Sequence, residues 1–112
     1  MTVANRPILV VGDNVAHRWD LAWALHEAGI PAEQAATMEQ ARQRVGHGRL
    51  AGVVVDSGSA ELTVRQLARV VQPDPDTGEI PFILDASRAT TPAKVVARVQ
   101  SLLQASVSSE PK

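Results

Sequence analysis

A chain of 112 residues suffices for one domain with one core and is too short for two. Its formal net charge of -1 supplies no field for nucleic acid or an anionic membrane, and no basic recognition helix is present. The absence of cysteine rules out a disulfide framework, thiolate chemistry and any cysteine-containing zinc site; no segment has the make-up of a bilayer span or a signal peptide, so a cytoplasmic protein is expected.

After a polar lead-in over residues 1–6, PILVVGDN (Pro7–Asn14) reads as a strand, Ile8–Val11, closed by Gly12, Asp13 and Asn14. Asn14 is placed to cap a helix running from Val15 to about Ala28, with Gly29 just past its end. Asp13 either shares that capping or is available to a cation. On a helical wheel, Arg18, Leu21, Ala22, Leu25 and Ala28 share the expected core face. Trp19, Trp23 and His26 fall on nearly the opposite side.

Ile30 and Pro31 begin a second strand through roughly Ala35, polar enough to be an edge. Thr37 and Gln40 have capping-box spacing, and Met38, Ala41 and Val45 give the next helix one apolar stripe. The third strand, Ala51–Val55, runs into GVVVDSGS (Gly52–Ser59). Its unbroken valine run reads as a strand buried on both faces, and it ends in Asp56. A helix follows with Ala60, Val64, Leu67, Val70 and Val71 at helical spacing up to Pro73. PDPDTGE (Pro73–Glu79) is a turn-rich loop; Asp74, Asp76 and Glu79 lack the spacing of a calcium loop. Ile80–Leu84 form a fourth strand. Thr91 caps a last helix with Pro92 at its first position and Val95, Val96, Val99, Leu102 and Leu103 on its buried face. Residues 1–105 are thus one domain, and 106–112 (SVSSEPK) are expected to be a disordered tail.

Strands alternating with helices over short connections imply a parallel sheet covered on both faces. Ligands of such sheets sit beyond the carboxyl ends of the strands, where Asp13 and Asp56 stand. His17, His26 and His47 are scattered over different elements without ligand spacing and read as surface residues.

PILVVGDN, the helix ending in a glycine, MEQARQRVGHGRLAGVVVD (Met38–Asp56) and KVVARVQSLLQ (Lys94–Gln104) together resemble a response-regulator receiver domain over most of the chain. The resemblance implies a flavodoxin-like open parallel sheet, with Asp56 on the position that accepts a phosphoryl group from a histidine kinase or phosphotransfer protein. It places Asp13 on the second of the two acids that hold Mg²⁺. Asp13, Asp56 and the backbone carbonyl of Gly58 would then ligate that ion, an oxygen-only set suited to Mg²⁺. The chain departs from the family at Gly12, where the first acid belongs, so weak Mg²⁺ binding is expected. The switch hydroxyl falls on Ala86, or on Ser87 if the frame shifts by one, and Arg88 stands where a lysine belongs. Ser87 and Arg88 are the phosphate-sensing candidates; an arginine at such a position is more often a solvated loop charge, or here a partner of Asp85, than a phosphate clamp. Between Ser87 and Thr91 there is no room for the family's fourth helix and fifth strand, so a four-stranded sheet is expected.

The resemblance implies signalling by a protein without an output domain and without enzymatic activity beyond phosphorylation and dephosphorylation of its own Asp56. A pseudo-receiver adaptor that binds partners without phosphorylation is the alternative within the fold. A flavodoxin-like nucleotide or flavin binder is the alternative from another class; it is disfavoured because the first turn has no glycine-rich phosphate loop and the loops lack aromatic residues. Trp19, Trp23 and His26 are the candidate partner interface, since two wet tryptophans are costly and tryptophan is enriched among interface anchors. The exposed edge of the fourth strand is a second candidate, for a homodimer.

Overall fold

The computed structural model describes residues 6–56, 60–75, 78–86 and 91–108. Its elements are β1 (Ile8–Val11), α1 (Val15–Glu27), β2 (Ala32–Ala35), α2 (Met38–His47), β3 (Gly52–Val55), α3 (Ala60–Ala68), β4 (Phe82–Asp85) and α4 (Pro92–Ser108). Among the described residues the strands form one sheet in the order β2-β1-β3-β4, with every neighbouring pair parallel. β1 and β3 run in register from Ile8↔Gly52 to Val11↔Val55.

The two central strands are apolar throughout because both of their faces are covered. Ile8, Val10 and Val54 point into one core with Leu21, Ala22 and Leu25 of α1 and Val95 and Val99 of α4. Leu9, Val11, Val53 and Val55 point into the other, against Ala41 and Val45 of α2 and Leu67 of α3. Side chains alternate along a strand, so each valine run feeds both layers in turn.

The helix starts follow from their capping residues. The Asn14 side chain accepts from the His17 N–H at 3.0 Å, and Ala28 and Gly29 (φ 82°) close α1. Thr37 accepts from Gln40 N–H at 3.1 Å, while Gln40 Oε1 accepts from Ala36 N–H at 2.8 Å, one residue before the usual return partner. Thr91 Oγ1 accepts from Lys94 N–H at 3.2 Å, with Pro92 in the first helical position. Arg44 fastens the end of α2 to the sheet edge: Nε lies 2.6 Å from Glu33 on β2, and Nη1 donates to Gly48 O at 2.8 Å.

Several sequence expectations shift. On α1, Leu21, Ala22 and Leu25 are buried as expected, but Ala28 is exposed and Arg18 is only half-buried at the helix start. β2 begins at Ala32 rather than Ile30, and it is the outer strand on its side, as its polarity implied. β4 begins at Phe82 rather than Ile80, because Pro81 has no N–H to give the ladder; Ile80 is left exposed. α3 ends at Ala68, and Val70 and Val71 pack on the second core from the turn beyond it. α4 continues to Ser108, into the segment expected to be a tail.

The loop before β4 contains more than a turn. Asp74 is 5% exposed and pairs with Arg6 at 3.7 Å, while Arg6 Nη2 donates to Glu79 Oε1 at 3.2 Å. Asp74 N–H donates to Glu79 O and Gly78 N–H to Asp74 O, closing the loop on itself. This clasp holds the amino-terminal end of the sheet, opposite the end bearing Asp13 and Asp56. The register also shows why position 52 is glycine: a Cβ there would stand 2.3 Å from the Phe82 ring, which lies across it from β4.

Candidate functional site at the carboxyl ends of the strands

The ladder continues past the central strands and fixes the rim. Asp56 N–H donates to Val11 O at 2.8 Å, Gly12 N–H to Ala35 O at 3.1 Å, and Ala86 N–H to Val55 O at 2.8 Å. Consecutive strands therefore deliver Gly12 and Asp13, Asp56, and Ala86 to one end of the sheet. Asp56 is mostly buried, with 18% of its side chain exposed, whereas Asp13 is exposed. Asn14, rather than Asp13, caps α1, and Asp13 makes no hydrogen bond or ion pair with the described residues. Asp13 and Asp56 thus stand at the same rim on adjacent strands.

Gly12 has a steric reason. A Cβ at this position would lie 2.6 Å from the backbone oxygen of Asp56, far inside van der Waals contact. The peptide leaving Asp56 occupies the space that an acidic side chain at 12 would need in order to leave the backbone.

Two basic side chains from the first turn of α1 stand at the rim instead. His17 Nδ1 is 3.9 Å from Asp56 Oδ2, and the imidazole is 68% exposed. Arg18 is pinned, Nη1 donating to Gly12 O at 2.8 Å and Nε to Gln34 Oε1 at 3.0 Å. The first turn of α1 contains no acid, so its partial positive charge is left to the rim carboxylates. His17 read as a scattered surface residue in the sequence. The available signal was its place one turn into a helix that starts at a strand end, which sets first-turn side chains beside the neighbouring strand's terminus.

Asp13 and Asp56 are hard oxygen donors of the kind Mg²⁺ takes. Among the described residues, no three His, Cys, Asp or Glu side chains gather closely enough to hold a metal ion. A third ligand would have to come from the backbone or from water; the expected carbonyl donor, Gly58, lies outside the described residues, as do Ser87 and Arg88. Ala86 is described. It is 6% exposed and packs in the first core with Val95 and Val99, so a methyl group fills the position aligned with the switch hydroxyl.

The outward face of α1 is apolar. Val15, Trp19 and Trp23, at successive four-residue steps, are 58%, 56% and 55% exposed, and His26 lies against Trp23 with ring centroids 5.6 Å apart. This is the face on which the helical wheel placed both tryptophans. β4 is the sheet's outer strand on the other side, with Phe82, Ile83 and Leu84 half-buried.

No family model matches the chain, and no curated protein matches it. No helix among the described residues is long and apolar enough to cross a membrane. Among solved structures, the chain is similar to a response regulator receiver protein from Pseudomonas putida, at 22% identity and a TM-score of 0.51. The likeness covers 87% of this chain and 79% of that one. At this identity the likeness is one of fold, and the fold is receiver-like: among the described residues, a flavodoxin-like α/β sheet of four parallel strands with helices on both faces.

Proposed function

We propose that this chain acts as a receiver in two-component signalling and accepts a phosphoryl group on Asp56. The observation that carries the reading is the convergence of Asp13 and Asp56 at one rim through the in-register pairing of β1 and β3. One oxygen of the Asp56 carboxylate attacks phosphorus. The bond between phosphorus and the donor's histidine nitrogen breaks, an acyl phosphate bond forms, and the imidazole leaves with the electron pair. A divalent cation held by Asp13 and Asp56 would neutralise charge between the carboxylate and the incoming phosphoryl group. Burial of Asp56 to 18% exposure fixes its direction of approach, and the pinned Arg18 keeps the start of α1 against the rim.

The partners implied are a histidine kinase or a phosphotransfer protein, which the α1 face of Trp19, Trp23 and His26 would receive; a homodimer through the β4 edge is the second assembly. No activity is proposed beyond turnover of the chain's own phosphoaspartate. The test is intact mass after incubation with a small-molecule phosphodonor and Mg²⁺. One added phosphoryl group, absent in Asp56→Asn, is expected; an unchanged mass refutes phosphorylation. The close approach of Gly12 to Asp56 favours a second reading, a pseudo-receiver adaptor that binds through the same α1 face without modification, and that reading predicts the unchanged mass.

A further inference from the structure

We infer that His17 is the residue that grips the phosphoryl group on Asp56 and carries its presence into α1. The inference rests on Asp56 being phosphorylated, and it concerns what happens after the acyl phosphate has formed. Among the described residues, His17 is the ion-pair partner of Asp56. Its Nδ1 stands 3.9 Å from Oδ2, beyond hydrogen-bond range. A phosphoryl group built on Oδ2 extends the acceptor by two bonds, more than the gap holds, so the exposed imidazole swings aside and meets its oxygens with an Nδ1–H donor. Neutral imidazole with its proton on Nδ1 and imidazolium both present this donor, so the contact does not depend on a change of charge.

The neighbouring groups favour this assignment. At the end of β4, Ala86 offers a buried methyl where the resemblance would put a hydroxyl donor. The backbone of His17 is fixed by its N–H to Asn14 Oδ1, and the next residue, Arg18, is tied to Gly12 O and Gln34. The imidazole therefore hangs from an anchored turn beside the acceptor. In the unmodified protein the two groups stand 3.9 Å apart and the imidazole is 68% exposed, so His17 contributes little to folding. Its worth begins when phosphate arrives. The helix it belongs to also bears Trp19 and Trp23, the only two tryptophans of the chain, both on its outward face.

Those tryptophans give the test a built-in reporter. The full chain, His17→Ala and His17→Asn are each treated with the small-molecule phosphodonor and Mg²⁺, and intact mass and tryptophan emission are followed together. Asparagine places an amide N–H near the position of Nδ1. In the parent chain an emission change should accompany the mass adduct. In His17→Ala the adduct should form with the emission change lost, and His17→Asn should restore it; thermal unfolding of all three should coincide. An adduct on His17→Ala with the parent's emission change overturns the inference and leaves phosphorylation standing. So does an adduct on the parent chain with no emission change. No adduct on any of the three refutes phosphorylation itself, and the inference with it.

Discussion

Placing aspartate at position 12 would restore the acidic pair of the receiver pattern, and the structure says that it will not restore the site. A Cβ at 12 meets the backbone oxygen of Asp56 at 2.6 Å, whereas ordinary contact begins at 3.4 Å, so the ends of β1 and β3 must part by about 0.8 Å. They are held by the Asp56 N–H bond to Val11 O at 2.8 Å, which such a movement strains. Overpacking of this kind costs about 1–3 kcal/mol. Replacing glycine returns about 0.4–1 kcal/mol through the unfolded chain. Taken at midpoint, the net expectation is a loss of about 1.3 kcal/mol, visible as a Tm lower by roughly 5–10 °C for a domain of this size. Because the overlap occurs at Cβ, Gly12→Ala and Gly12→Asp should lose similar amounts, and Gly12→Asp should gain no Mg²⁺ affinity. Urea unfolding with unchanged m, and Mg²⁺ titration followed by tryptophan emission, measure both quantities. A Gly12→Ala chain as stable as the parent, or a Gly12→Asp chain that binds Mg²⁺ tightly without loss of stability, would refute the reasoning.

Arg6→Ala removes the guanidinium 3.7 Å from the buried Asp74 carboxylate and its hydrogen bond to Glu79, and should lower stability by about 1–3 kcal/mol in denaturant melts, with Asp56 phosphorylation intact. The double variant Trp19→Ser/Trp23→Ser should change stability by less than about 1 kcal/mol, since both rings are more than half exposed. It should nevertheless weaken self-association or kinase-driven phosphorylation; a large stability loss with assembly unchanged would make the rings structural.

Much of the architecture was legible because parallel strands with both faces covered must be apolar throughout, and few other structures produce runs like those of Ile8–Val11 and Val53–Val55. The caps at Asn14, Thr37 and Thr91 were legible for a local reason: each is a side chain bonding to a backbone group three residues on. The outward tryptophans followed from helix period alone. What stayed hidden depends on contacts between distant segments. Nothing near Asp74 shows that Arg6 will bury it, nothing around Gly12 shows the Asp56 carbonyl crossing over it, and His17 acquires its partner only when β3 pairs with β1. The start of β4 was misplaced by two residues because apolar content at Ile80 outweighed the missing donor of Pro81.

The clasp between Arg6 and Glu79 joins residues 73 apart in sequence. Closing so long a loop costs more chain entropy than any local turn, so the clasp cannot nucleate the fold and must latch after the sheet has assembled. During synthesis, β1 through β3 emerge from the ribosome with the underside of the first strand still unfastened. The chain can gather its strands early, but it locks them only once the segment leading into β4 has been made.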